Sequence, residues 1–81
     1  MDDVEKRFKR IVADIFKVDA SKLKGSTRFV EDLGVRSLTM ISLVAAVENE
    51  FGITTSPQET SKNKTIAQSV AYIEKLVKQK K

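Results

Sequence analysis

The chain has 81 residues, a formal net charge of +4, 32% charged and 41% hydrophobic residues, and neither cysteine nor histidine. That length sets one domain, residues 1–81, with a small core. The missing residue types exclude disulfides, Cys-based zinc and iron–sulfur sites, thiol nucleophiles and Ser-His-Asp triads, and three glycines with one proline favour helices over loops.

Residues 3–16 carry Val4, Phe8, Ile11, Val12, Ile15 and Phe16, whose spacing traces one helical stripe. Asp2, Asp3 and Glu5 suit the positive helix start, and Asp3/Arg7 and Glu5/Lys9 are pairs four apart. Residues 17–36 form a connection longer than compact domains usually hold. Val18, Leu23, Phe29 and Leu33 are its apolar anchors, and a helical turn is expected around Asp19–Leu23. A second helix spans 37–51, with Ser37 as N-cap and Gly52 as its stop. Apolar residues cover most of its circumference, Ile41 included, which predicts the most central helix of the bundle. Ser56-Pro57-Gln58-Glu59 predicts a capping box opening a short third helix. Thr65-Ile66-Ala67-Gln68 predicts a second box, followed by Ile66, Val70, Ile73 and Val77 on one face of the last helix. The fold class is therefore all-α, a four-helix bundle with a long first loop and a short third helix.

The longest apolar run, Leu43 to Val47, is far short of the ~20 residues that cross a membrane. The opening Met1-Asp2-Asp3 is no secretory leader, so a cytoplasmic chain is expected. Charge is uneven along the chain. Residues 31–50 hold one Arg and four acids, Glu31, Asp32, Glu48 and Glu50, inside an otherwise basic protein. No basic helix interleaves with aromatics or base-reading amides, so the cationic face of the first helix (Lys6, Arg7, Lys9, Arg10) reads as solvated and not as a nucleic-acid site.

Ser37 is the residue that draws attention. Its hydroxyl falls at a loop–helix junction, where first-turn N–H groups and the helix dipole favour a phosphate. On these grounds alone the cap is the reading to prefer, because serine is a favoured cap. The string Phe29-Val30-Glu31-Asp32-Leu33-Gly34-Val35-Arg36-Ser37-Leu38, then Leu43-Val44, Glu48-Asn49-Glu50-Phe51-Gly52-Ile53, Thr65-Ile66 and Val70-Ala71-Tyr72-Ile73, resembles an acyl carrier protein from about Val4 to Leu76. The resemblance implies that Ser37 is the attachment residue for 4′-phosphopantetheine, taken from coenzyme A by a phosphopantetheinyl transferase. It implies a monomeric carrier, not an enzyme. Its arm holds an acyl chain as a thioester between acyl-transferring or acyl-ligating enzymes of fatty-acid, polyketide or related lipid biosynthesis. The family bundle, with its long first loop and short third helix, matches the elements read above.

The sequence also departs from the family. Arg36 stands where an Asp usually precedes the serine, and Thr39, Ser42 and Asn49 occupy positions that are often acidic. Arg36 reads as a solvated loop residue, or as a partner for the arm's phosphodiester or for an acidic protein. Leu38, Met40 and Glu48 complete the candidate partner-recognition set, Met40 because methionine adapts to varied surfaces. Ala45, Ala46, Ala67 and Ala71 either pack helices closely or leave room between them for an acyl chain. The depleted acidic helix suggests a specialised carrier with its own partners. A peptidyl or aminoacyl carrier and an unmodified interaction module on the same fold remain alternatives.

Overall fold

A computed structural model describes residues 2–80, with the side chains of Asp2, Asp3, Ser37, Pro57 and Lys80 outside the description. In chain order the elements are α1 (Asp2–Phe16), a 3-10 turn (Ala20–Lys22), α2 (Ser37–Phe51), α3 (Pro57–Thr60) and α4 (Ile66–Lys80). One contiguous core joins them: Phe8 and Val12 of α1, Leu43, Val47 and Phe51 of α2, Ile66, Val70 and Ile73 of α4, and Leu23 and Phe29 of the first connection.

The stripe predicted for α1 is the buried one, with Phe8 and Val12 almost wholly enclosed. Its Glu5–Lys9 pair forms at 2.7 Å, whereas Asp3 lies outside the described side chains. The helix ends without a glycine: Lys17 takes a left-handed φ of 59°, and the Val18 N–H donates to the Ala13 carbonyl at 3.1 Å. α1 packs against both α2 and α4. This corrects the expectation that α2 is the central helix. α2 buries Leu43, Val47 and Phe51 but leaves Leu38 80% and Ile41 65% exposed. Its apolar circumference is two stripes, one on the core and one on the surface, and Ile41 belongs to the second.

Arg7 of α1 fastens the far end of α2. Its Nε donates to the Glu50 carboxylate at 2.8 Å, its Nη2 donates to the Glu50 carbonyl at 3.0 Å, and its guanidinium lies 4.7 Å from the centre of the Phe51 ring. A last-turn carbonyl, which no helix can satisfy internally, thereby gains a cationic donor. Gly52 follows with φ 64°, the left-handed stop expected from its place after Phe51.

The long connection is ordered by specific contacts. Asp19 accepts from the Ser21 N–H at 3.0 Å and caps the 3-10 turn, as anticipated for 19–23. Leu23 and Phe29 enter the core and Leu33 packs beside it, while Val18 stays at the surface. Phe29 meets Phe8 edge to face at 6.2 Å. The connection also closes the start of α4. The Ile66 N–H donates to the Thr27 carbonyl at 3.0 Å, the Ala67 N–H to the Gly25 carbonyl at 2.9 Å, and the Gln68 N–H to Thr65 Oγ1 at 3.2 Å. In return Gln68 Oε1 accepts from the Thr65 N–H at 3.3 Å, so the second capping box forms as predicted. At α3 the arrangement differs: the Ser56 N–H donates to Tyr72 Oη of α4 at 3.2 Å, which ties the short helix to the bundle.

Truncating a buried aromatic costs about 3–5 kcal/mol, comparable with the ~5–15 kcal/mol total of a small domain. Phe29→Ala is therefore expected to abolish a cooperative urea transition or shift it to far lower denaturant. A midpoint within error of the wild type would show that the connection is not part of the core.

Candidate functional site

The site begins with a turn that the core holds in place. Between Phe29 and α2 the chain folds back on itself: the Asp32 and Leu33 N–H groups donate to the Arg28 carbonyl at 3.0 and 3.2 Å, Gly34 to Val30 at 3.1 Å, and Val35 to Phe29 at 3.0 Å. Asp32 Oδ2 accepts from the Arg28 N–H at 2.8 Å. Gly34 lies at φ 66°, where a side chain would be strained, and this lets the chain reverse within a few residues. Phe29 and Val35 are thus locked together, and the next two residues are Arg36 and Ser37.

Ser37 is the first residue of α2 and not its N-cap, which corrects the sequence expectation by one position. Arg36 occupies the cap in extended conformation, φ −124° and ψ 173°, and its side chain makes no capping hydrogen bond. The Arg36 carbonyl accepts the Met40 N–H at 2.8 Å, starting the helical ladder. The contrast with α4 is physical. There, loop carbonyls and a threonine hydroxyl satisfy the first-turn donors; at α2 the N-cap residue is an arginine, whose side chain has no acceptor to offer them, and the positive end of a helix favours an anion. Arg36 itself is exposed and makes no ion pair with any described side chain.

The remaining predicted residues separate. Leu38 is exposed on the surface stripe of α2, while Met40 turns half-inward. Met40 lines an inner cavity of about 40 Å³ with Phe29, Leu43 and Tyr72, and also an outer groove of about 390 Å³ between α2 and the 55–61 segment. Ile41, Val44 and Ala45 form the groove's α2 wall; Thr55, Thr60 and Ser61 form the opposite one. Of the four alanines singled out, Ala45 lines this groove, whereas Ala67 and Ala71 line a separate hollow with Glu5 and Glu74. They do not converge on one channel.

Glu48 serves the fold directly. Its carboxylate accepts from the Thr55 N–H at 2.8 Å and from Thr55 Oγ1 at 2.9 Å, pinning the segment after α2 at the end of the groove. These donors, the backbone N–H foremost, hold the Glu48 carboxyl below the ordinary carboxylate range. Sequence reading missed Thr55 in this role and Ile41 and Ala45 as surface residues. The signal for the latter was present: 38, 41 and 45 lie at spacings of three and four, a second stripe beside 40, 43, 47 and 51.

Set against known proteins, this arrangement has a match. The family model for the phosphopantetheine attachment site matches residues 6–73, most of the chain. The chain belongs to that family. Among solved structures, the acyl carrier protein from Enterococcus faecalis superposes with a TM-score of 0.79 at 24% identity, covering 93% of this chain and 95% of that one. The fold is accordingly all-α and acyl-carrier-like, and the group that this carrier family holds covalently is 4′-phosphopantetheine. The residues present fit such a group: a serine as the first residue of α2, an exposed cation before it whose side chain does not cap the helix, and an open apolar groove alongside. Among the described residues no helix is long and apolar enough to cross a membrane.

The Glu48 contact has a pH signature. A carboxyl held low in the folded state contributes stability above its unfolded value of about 4.3. That contribution is lost as pH falls through the lower folded value. Thr55→Val removes the hydroxyl donor, so its Tm is expected below the wild type at pH 7, with the gap narrowing as the pH is lowered through the acid range and Glu48 becomes protonated. A gap of constant size across that range would place the effect of Thr55 in packing alone.

Proposed function

We propose that this chain is an acyl carrier protein whose Ser37 bears the 4′-phosphopantetheine arm. The observation carrying this reading is the coincidence of the family match with the geometry of the α2 start. The only serine in Asp32-Leu33-Gly34-Val35-Arg36-Ser37 is the first residue of α2, where a helix offers first-turn N–H donors and a positive end to a phosphodiester. The bound arm supplies a terminal thiol, which the cysteine-free chain lacks, and on which acyl groups are carried as thioesters.

The chain's own residues then have distinct tasks. The Phe29–Val35 turn sets where α2 begins, and so where Ser37 is offered to a transferase. On loading, the Ser37 hydroxyl oxygen forms the new phosphodiester bond to the phosphorus of coenzyme A, its proton passes to solvent or to the transferase, and the adenosine 3′,5′-bisphosphate portion leaves. The α2 dipole and first-turn N–H groups stabilise the resulting anion. Leu38 and Ile41 face outward toward enzymes that bind briefly, and the groove walled by Ile41, Val44 and Ala45 offers apolar surface to an acyl chain. Acyl-transferring and acyl-ligating enzymes of lipid or polyketide assembly are the partner class, and the chain serves as their carrier, not as a catalyst.

Incubation with coenzyme A, magnesium and a broad-specificity phosphopantetheinyl transferase tests the reading by intact mass. Wild type is expected to gain one phosphopantetheine and Ser37→Ala none, with equal thermal melts for the two unloaded proteins. A wild type that stays unmodified by this transferase and by those of its source organism supports the unmodified interaction module instead, the reading that Arg36 beside Ser37 favours.

A further inference from the structure

The two carboxylates of α2 lie at its far end, and both are engaged in contacts that hold the fold. The helix holds two acids, Glu48 and Glu50. Glu48 is taken up by the Thr55 N–H and hydroxyl, and Glu50 by Arg7 at 2.8 Å. Upstream, Asp32 accepts from the Arg28 N–H and lies 3.7 Å from its guanidinium. The outward stripe of α2 is what remains: Leu38 at 80% exposure, Ile41 at 65%, then exposed Ala45 and exposed Asn49. These residues lie three and four apart on one face, and none of them is charged. At the head of the stripe stands Arg36, exposed and without an ion pair to any described side chain. The stripe that runs from Arg36 along α2 is therefore uncharged with a cationic head, and the ionised Glu48 and Glu50 lie about three turns away at the other end of the helix.

We infer that the enzymes docking on α2 present an apolar hollow to Leu38 and Ile41 and a carboxylate to Arg36, so that the charge contact at this face runs from cation on the carrier to acid on the partner. The inference rests on the carrier reading above and names the partner chemistry for the same site. Burying Leu38 and Ile41 removes their large exposed apolar surfaces from water. An arginine at the rim of such a contact gains bidentate hydrogen bonds from a carboxylate and, facing a cationic rim, repels it. The single charge thus selects among partners more than it adds affinity, which suits a carrier that must release quickly.

The test is steady-state loading of the full-length chain by a phosphopantetheinyl transferase from its source organism, read by intact mass, for wild type, Arg36→Lys, Arg36→Asp and Lys6→Asp. Lys6 is exposed on α1, so Lys6→Asp makes the same change in net charge away from the site. Arg36→Asp is expected to lower kcat/KM about tenfold, through KM, and Arg36→Lys to retain most of it. Lys6→Asp is expected to load like wild type. Wild-type kcat/KM falls as salt is raised, and the salt dependence of Arg36→Asp reverses sign. Thermal melts confirm that every variant is folded. Loading of Arg36→Asp at or above the wild-type rate overturns the inference while leaving the carrier reading intact. So does an unchanged KM with a melt that shifts only in the loaded protein, which places Arg36 on the arm's own phosphodiester. If the wild type takes no arm from any source transferase, the carrier reading fails and this inference falls with it.

Discussion

Phe29 fastens the connection of residues 17–36 to the bundle, and the position of every candidate site residue follows from that. Its ring is buried against Phe8, its N–H donates to the Lys64 carbonyl at 3.0 Å, and its carbonyl receives the Val35 N–H. One residue therefore holds three things together: α1, the segment entering α4, and the turn that delivers Ser37. A flexible loop of this length would place the serine anywhere on a wide arc. Bolted at Phe29, and at Leu23 before it, the chain has only the short hydrogen-bonded turn to cross before α2 begins. That turn fixes where α2, and with it Ser37, begins.

The helix beginnings divide the labour. α4 is closed by the Gly25 and Thr27 carbonyls and by its own capping box, so that it is purely structural at that end. α2 is closed at the other end, where Arg7 grips Glu50 and stacks on Phe51, and where Gly52 ends the helix. At its beginning the N-cap is Arg36, whose side chain makes no capping hydrogen bond. The acids of α2 belong to the same arrangement. Glu48 and Glu50 hold the 52–55 segment and α1 in place, and what is left outward is Leu38, Ile41 and Arg36.

Most of the architecture was legible in the sequence because it rests on periodicity and local capping. The α1 stripe, the α4 stripe with its Thr65–Gln68 box, the turn after Asp19 and the stop at Gly52 are all written in neighbours within four residues of one another. The errors have a common cause. Ile41 was assigned to the core, and α2 to the centre, because hydrophobicity counts apolar residues but not the faces already occupied by partners. Only tertiary packing shows that α1 fills that central place, leaving one stripe of α2 outside. The proposal of Ser37 as attachment residue rests on a motif and not on its chemistry alone, since a cap and an attachment site look alike in a single helix start. The uptake of Glu48 by Thr55, and of Glu50 by Arg7 across 43 positions, left no sequence signal, because neither partner is set by helical spacing.

The central claim is that Ser37, set at the start of α2 by the anchored turn, is where the carrier's arm is attached. Peptide mapping by tandem mass spectrometry of the chain purified from its source organism tests this most directly. The account predicts phosphopantetheine on the peptide carrying Ser37 and on no other serine. An arm found on Ser42, Ser56 or another serine, with Ser37 unmodified, would contradict it.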